Sequence, residues 1–379
     1  MPGKTQRKYV KELMIFNKSI KKPLDIVKSV LPYEYTYDDI LSLFKELYSY
    51  EWDIIEKRYE YYLSKDKHLK SVKKKRRYKP TEPNSYLEEL QKVKHILSDG
   101  QKKLHKINFD ENSRLKTLEE LQIKTKERMK KIDKKIKKNT YLLQEIEPLY
   151  LDIFIEAYHQ KSAILDDKLE IVKEIQKYDC DKSTTFFQKL NDSEKNKQLQ
   201  TIAYEHLKSL KKYGKLRKGF KGNKKAFMSE KTIFEMKPLD LLKRIDKDTV
   251  QNKKSFDYFI SHSYRDNTLV KDVIVYLNTQ NLHAYCDWFN DTDFLKRTYV
   301  SEYTKVVLKK RIEQSSKVLF IRTNNTNDKE NKFYSEWVEM EIDYAKELGK
   351  EIECIDLIDG ANDEFKSFVY DENKLVLKS

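Results

Sequence analysis

Apolar and polar positions change their period once along this chain of 379 residues. In the first part, Leu115, Leu118, Thr125, Met129, Ile132, Ile136, Leu143, Ile146, Tyr150, Ile153 and Ala157 recur at alternating three- and four-residue steps, with blanks at Gln122 and Asn139. That is a heptad-like seam and predicts long helices. Pro148 falls inside it and should kink it or divide it in two. The seam reads first as an antiparallel helical bundle within one subunit and second as a dimerising coiled coil.

Beyond residue 253 the period shortens. Phe256-Asp257-Tyr258-Phe259-Ile260 favours a strand, then breaks into the small polar run Ser261-His262-Ser263. A helical stretch over 268–280 separates it from a second strand in the block 284–288, which makes one βαβ unit. Residues 315–321 supply a third strand, 335–342 start a further helix, and 352–358 supply a fourth strand. The expected division is a helical, aromatic- and lysine-rich segment over 1–80, a long-helix region over 81–227, a connector over 228–253, and an α/β domain with a central parallel sheet over 254–379.

Charge separates the same two parts. Charged residues make up 37% of the chain and its net charge is +15, yet residues 251–379 hold 19 basic against 23 acidic side chains. Residues 1–250 therefore carry a net +19. A basic body attached to a mildly acidic domain points to a polyanionic partner, nucleic acid first. Two stretches concentrate the charge: Lys73, Lys74, Lys75, Arg76 and Arg77 beside Tyr78, and Lys211, Lys212, Lys215, Arg217 and Lys218 beside Tyr213 and Phe220. Cations on flexible stems among aromatic rings suit phosphate neutralisation with base stacking, and lysine's dominance favours backbone contact over base reading. A lysine-rich composition alone would also produce such runs.

Other chemistry is thin. The three cysteines, Cys180, Cys286 and Cys354, are dispersed and suggest a reducing compartment. With seven glycines there is no Walker loop and no GxGxxG. His283 and Cys286 have metal-ligand spacing, but no second pair lies near, so no metal centre is expected. The basic first eleven residues and the short apolar run after them do not make a signal peptide, and no stretch of about 18 apolar residues occurs. A cytoplasmic protein that crosses no membrane is the expectation.

The four blocks after residue 253, in that order and spacing, resemble a TIR (Toll/interleukin-1 receptor) domain of the bacterial kind with an Asp-Trp pair after its second strand. The resemblance covers about a third of the chain and implies a flavodoxin-like fold. It also implies cleavage of NAD+ between nicotinamide and ribose, or conversion to cyclic ADP-ribose, with NAD+ as substrate and no cofactor. Such proteins act as anti-phage effectors that work when self-associated, here as a homo-oligomer through the TIR domain.

The family's catalytic carboxylate is expected at the start of the helix preceding the third strand. Thr304 aligns with the family threonine and places Tyr303 where the glutamate is often found, so Glu302, one residue earlier, becomes the candidate. Ser301 would cap the helix there. Ile260, Ser261 and His262, at the end of the first strand, and Asp287 and Trp288, after the second, are expected to receive the nucleotide, because ligands of open α/β sheets sit at the carboxyl ends of strands. Trp337 with Glu341 matches the family's Trp-x-x-x-Glu helix. The pair reads first as structural, with Trp337 kept as a wall of the nucleotide site. The competing functions are a non-enzymatic TIR scaffold that recruits a partner and, without a carboxylate cluster to support it, a nuclease.

Overall fold

The computed structural model describes residues 3–215, 237–247, 250–291, 302–328, 332–358, 364–371 and 374–377. The chain forms two compact units: Met1–Tyr141 with Phe187–Lys225, and Leu142–Phe186 with Ala226–Ser379.

The first unit is helical. In the Lys4–Lys28 helix, Phe16, Ile20, Leu24 and Val27 repeat at four-, four- and three-residue steps and are all buried. They meet Ile40, Phe44 and Leu47 of the Tyr37–Leu47 helix in one core. A capping box starts that second helix, the Asp39 carboxylate accepting from the Thr36 backbone N–H at 2.8 Å. The expected seam lies along the Glu111–Thr140 helix. Leu118 and Leu121 rest on this core, and Thr125 and Arg128 donate to the Leu47 carbonyl.

The seam does not continue as helix beyond Thr140. Residues 141–150 are extended or turning, Gln144 bridges Tyr178, and helix resumes at Leu151–His159. Pro148 bars helix just before Leu151, since it lacks the N–H that would bond the Gln144 carbonyl and disfavours helical geometry in Glu147, and that carbonyl accepts from Asp179 instead. Ile146 and Tyr150 are nonetheless buried, so the apolar period marks a packed face rather than one long rod.

The second unit is built on a six-stranded sheet in the order β2-β1-β3-β4-β5-β6. Its strands are β1 (Phe256–Ser261), β2 (Ala284–Tyr285), β3 (Ser315–Arg322), β4 (Glu351–Asp356), β5 (Lys366–Asp371) and β6 (Lys374–Leu377). The first five in the sheet are parallel and β6 runs antiparallel to β5. This is the flavodoxin-like order expected from the sequence. The chain goes from β1 to β2 on one side and returns to β3 on the other, so the strand order reverses beside β1. Ligands of open parallel sheets enter at the carboxyl ends of the strands at such a reversal. Ser261, paired with Phe320, stands at that end.

Helices cover both faces of the sheet. Val270, Val273, Ile274 and Leu277 of Asn267–Thr279 and Val338, Ile342 and Ala345 of Glu336–Glu347 are buried at helical spacing. This unit also takes in the Leu151–His159 and Leu165–Ile175 helices, which the periodicity had placed in the long-helix region. The Tyr150 ring packs edge-on against Phe256 of β1 and beside His283. No described helix is long and apolar enough to cross a membrane.

Candidate active site

At the end of β1 the Ser261 hydroxyl donates to Oε2 of Glu341 at 2.6 Å, both side chains being buried. Glu341 comes from the second turn of the Glu336–Glu347 helix, on the face that also buries Val338, Ile342 and Ala345. A carboxyl on the apolar face of a helix is desolvated, which penalises its charged form. Burial pushes it up to about 8, the Ser261 hydrogen bond opposes the shift, and the neighbouring negative charge of Asp287 adds to it. Burial therefore favours the protonated form of Glu341, and a nearby cation would favour the ionised one.

The loop after β2 supplies the facing wall. Asp287–Asn290 forms a single helical turn following Cys286. Trp288 donates its indole N–H to Nε2 of His262 at 3.0 Å. Nε2 is thus the acceptor and the imidazole proton sits on Nδ1, 3.4 Å from the Ile260 carbonyl. His262, Asp287 and Trp288 are half-buried, as groups lining an accessible cleft would be. The Trp288 indole also packs on Phe289.

The sequence-predicted residues separate into two sets. Ser261, His262, Asp287 and Trp288 come together. The Ile260 side chain does not join them, since it is 2% exposed and belongs to the core beneath the sheet. Trp337 lies one helical turn before Glu341, with the Lys305 ammonium over its ring at 5.7 Å. Glu302 opens the Glu302–Glu313 helix with 88% of its side chain exposed and pairs with Lys305 at 3.8 Å. The expected cap Ser301 lies outside the described residues. Glu341, read from the sequence as structural, is a buried carboxyl that the fold brings to the end of β1, near Asp287. The signal was present: Glu341 falls three residues after Val338, four before Ala345 and beside Ile342, an apolar stripe where a glutamate is out of place.

His262 Nε2, Cys286 Sγ and an Asp287 oxygen lie within 4.8 Å of one another. The two sulfur distances are each 3.9 Å. A zinc ion held by all three would need them drawn in to about 2.0–2.3 Å from one centre, with Trp288 displaced from Nε2. His283, the other residue with metal-ligand spacing, is a core group. Burial pushes it down to about 3 and its ring packs on Tyr178 and Phe256.

Behind the turn lies a buried charge cluster. Asp291 accepts from Arg311 and from the Tyr285 hydroxyl, each at 3.0 Å, and Lys254 pairs with Glu174 at 2.9 Å. Burial lowers Lys254 to about 8 despite its acidic neighbours. Asp291, pulled against its own burial by Arg311 and Lys254, is held well below the usual carboxylate range.

The whole chain has a relative. It is 45% identical over 371 residues, 98% of this chain and 96% of the other, to a Cytobacillus dafuensis protein named "Putative cyclic ADP-D-ribose synthase TIR2". The chain belongs to the bacterial TIR family. A second relative, of Bacillus cereus (strain MSX-D12), is named "Probable 3' cyclic ADP-D-ribose synthase ThsB'". It is 27% identical over 111 residues, 29% of this chain and 54% of its own. No family model and no solved structure matches this TIR chain.

In the other unit, the predicted nucleic-acid contacts also divide. Lys73, Lys74, Lys75, Arg76 and Arg77 are all exposed. Asp66 folds the end of their loop by accepting from the backbone N–H groups of Arg77, Tyr78 and Lys79. Lys211 and Lys212 are half-buried. Lys215 pairs with Asp192 at 2.5 Å and lies over the Tyr61 and Tyr62 rings, so its charge is already matched. Tyr213 donates to Glu12 at 2.6 Å and is buried within a tyrosine cluster, which removes its ring from the role of a base-stacking platform, while Tyr78 packs half-buried against the same cluster. Arg217, Lys218 and Phe220 lie outside the described residues.

Proposed function

We propose that this TIR protein takes NAD+ as substrate, breaks the bond between nicotinamide and ribose, and closes the ADP-ribosyl group on itself to a cyclic product. The observation that carries the reading is the Glu341 carboxyl, buried at the strand ends, hydrogen-bonded to Ser261 and facing the Asp287–Trp288 turn. The names of the two relatives favour the cyclic product over linear ADP-ribose.

The chemistry asks little of the protein. The pyridinium leaving group departs with the bonding electron pair as neutral nicotinamide, so no acid has to protonate it. The burden is the positive charge that develops on the ribose, and a carboxylate in a desolvated cleft is suited to meet it. The cationic nicotinamide ring would lower the carboxyl's proton affinity on binding, so Glu341 ionises when substrate arrives. Capture of the ribosyl cation by a nucleophile of the same molecule gives the ring, and capture by water gives the linear product. An attacking hydroxyl would lose its proton to Glu341. Trp288 and His262 form the wall on which a planar ring can stack.

Glu302, exposed and paired with Lys305, is assigned to the rim beside Trp337 and not to the reaction. The exposed Lys73–Arg77 loop is where a polyanion would engage the helical unit. Assembly through the sheet unit and an effector role in anti-phage defence remain what the family resemblance implies. The deciding experiment incubates the purified, concentrated protein with NAD+ and resolves nicotinamide, cyclic and linear ADP-ribose chromatographically. Loss of all products in Glu341→Gln with retention in Glu302→Gln supports the assignment. The reverse result returns catalysis to Glu302, and no turnover by assembled wild type favours the scaffold.

A further inference from the structure

Gln144 and Lys177 stand 146 and 113 residues before their shared partner Asn290 in the Asp287–Asn290 turn, yet both hold it. The Gln144 side-chain amide donates to the Ala284 carbonyl at 3.1 Å and to Oδ1 of Asn290 at 3.3 Å. The Lys177 ammonium donates to the Asn290 carbonyl and pairs with Glu174 at 2.7 Å. The two holding residues are fixed to each other. The Gln144 N–H donates to the Lys177 carbonyl at 2.9 Å, and the Asp179 N–H returns to the Gln144 carbonyl at 3.0 Å.

Asn290 is the closing residue of the turn. Its Oδ1 accepts from the Cys286 N–H at 2.9 Å and its own N–H donates to the Cys286 carbonyl at 2.8 Å. One helical turn cannot sustain itself, because nucleation costs more than a single hydrogen bond returns. The turn persists because its last residue is held from outside. Gln144 and Asn290 are 2% and 1% exposed, so water cannot substitute for the missing partner if either is removed. Asp291, held by Arg311 and Tyr285, anchors the chain just beyond. Loss of Gln144 or Lys177 therefore loosens the turn without releasing the loop.

We propose that Gln144 and Lys177 are positioning residues that hold the Asp287–Asn290 turn, and with it Asp287 and Trp288, in the geometry that receives NAD+. The proposal rests on the NAD+ reading for its kinetic consequence and on the hydrogen bonds alone for its structural one. The site is thereby completed by a segment that precedes the α/β domain by about a hundred residues of chain.

The test uses the full chain with Lys177→Met and Gln144→Leu, singly and together. Lys177→Arg serves as the conservative variant. Lys182→Ala, which removes ion pairs to Glu147 and Asp152 in the same segment, controls for ordinary destabilisation. Displacement of a binding wall by an ångström or less should raise KM for NAD+ about tenfold, with kcat within about threefold. Lys177→Arg should recover most of the loss. In protein labelled with 5-fluorotryptophan, the Trp288 resonance, assigned by Trp288→Phe, should shift or broaden in both variants while Trp52 and Trp337 hold. Unchanged KM with an unchanged Trp288 signal overturns the proposal, as does an equal KM rise in Lys182→Ala. If wild type turns over no NAD+, the functional reading fails and the fluorine signal alone decides the clamp.

Discussion

The Ser261 hydroxyl reaches Glu341 across 2.6 Å, joining the last residue of one strand to the buried face of a helix 80 residues later. That bond fixes one carboxyl oxygen at the strand end. Glu341→Gln keeps shape and hydrogen bonding but removes the charge, so nicotinamide release should fall by about 10²–10³-fold. Ser261→Ala frees the carboxyl and should cost about tenfold. Glu302→Gln should stay within about twofold of wild type. Product chromatography at saturating NAD+ checks all three.

Burial makes Glu341 a weaker acid, which gives activity and stability opposite pH dependences. Free enzyme must lose a proton near pH 8 to present a carboxylate, so kcat/KM should rise with pH towards that value. For stability, the folded state keeps the proton up to about 8 whereas the unfolded chain loses it near 4.5. Stability from this group is fully present below 4.5 and is lost as pH rises through 8, at about 1.4 kcal/mol per pH unit. Urea unfolding of the wild type and Glu341→Gln between pH 5 and 8 should differ by that slope. Parallel curves would show that Glu341 is not protonated in the fold.

Trp288→Ala should remove the stacking wall and the donor to His262 together, raising KM for NAD+ about tenfold or more. Trp288→Phe retains a ring but no N–H, and should fall between the two. Steady-state kinetics distinguish them. Equal KM values in all three proteins would place the nucleotide elsewhere.

In the helical unit, Lys215 and Lys65 hold Asp192 at about 2 against the desolvation that opposes them. Its contribution is present above pH 3.8 and is lost as pH falls towards 2. Asp192→Asn should destabilise this unit by about 1–2 kcal/mol at pH 7, after allowance for the partial exposure of the three groups. The difference should shrink below pH 4. Urea titration followed by helical circular dichroism reads it.

The same geometry separates two kinds of lysine. Replacing Lys73, Lys74 and Lys75 by glutamine should weaken binding to a single-stranded oligonucleotide and flatten its salt dependence by up to three phosphate contacts. Lys215→Gln should lower stability and leave that slope alone. Fluorescence anisotropy across a salt series is the measurement. Absence of binding by wild type would remove nucleic acid as the polyanion.

Much of the sheet unit was legible because short-range pattern decides it. Alternation ending in Ser261-His262-Ser263 located β1, and the apolar runs at 315–321 and 352–358 located β3 and β4. The strand-end cluster of Ser261, His262, Asp287 and Trp288 followed from topology. A glutamate at a helix start is visible in a motif, which makes Glu302 the candidate from sequence, whereas burial is a property of the fold. The apolar stripe around Glu341 signals its burial in the sequence, but not that it meets Ser261 at a strand end. The role of residues 142–178 was hidden for the same reason. Gln144, Lys177 and Glu174 meet Ala284, Asn290 and Lys254 only through tertiary contacts that no local period records. Lys215 and Tyr213 looked like a nucleic-acid surface because composition does not reveal whether a charge or a ring already has a partner.

The polypeptide enters the sheet unit at Leu142, leaves it after Phe186, and comes back once the helical unit is finished. The two bodies are thus laced together by connectivity, and no single cut yields both intact. A fragment beginning at residue 254 would keep every strand but surrender Glu174, Tyr150 and Tyr178, baring Lys254, Phe256 and His283 and unfastening the Asn290 turn from Gln144 and Lys177. Gene fusions that graft only the last third of this chain onto another protein should therefore yield insoluble or silent products.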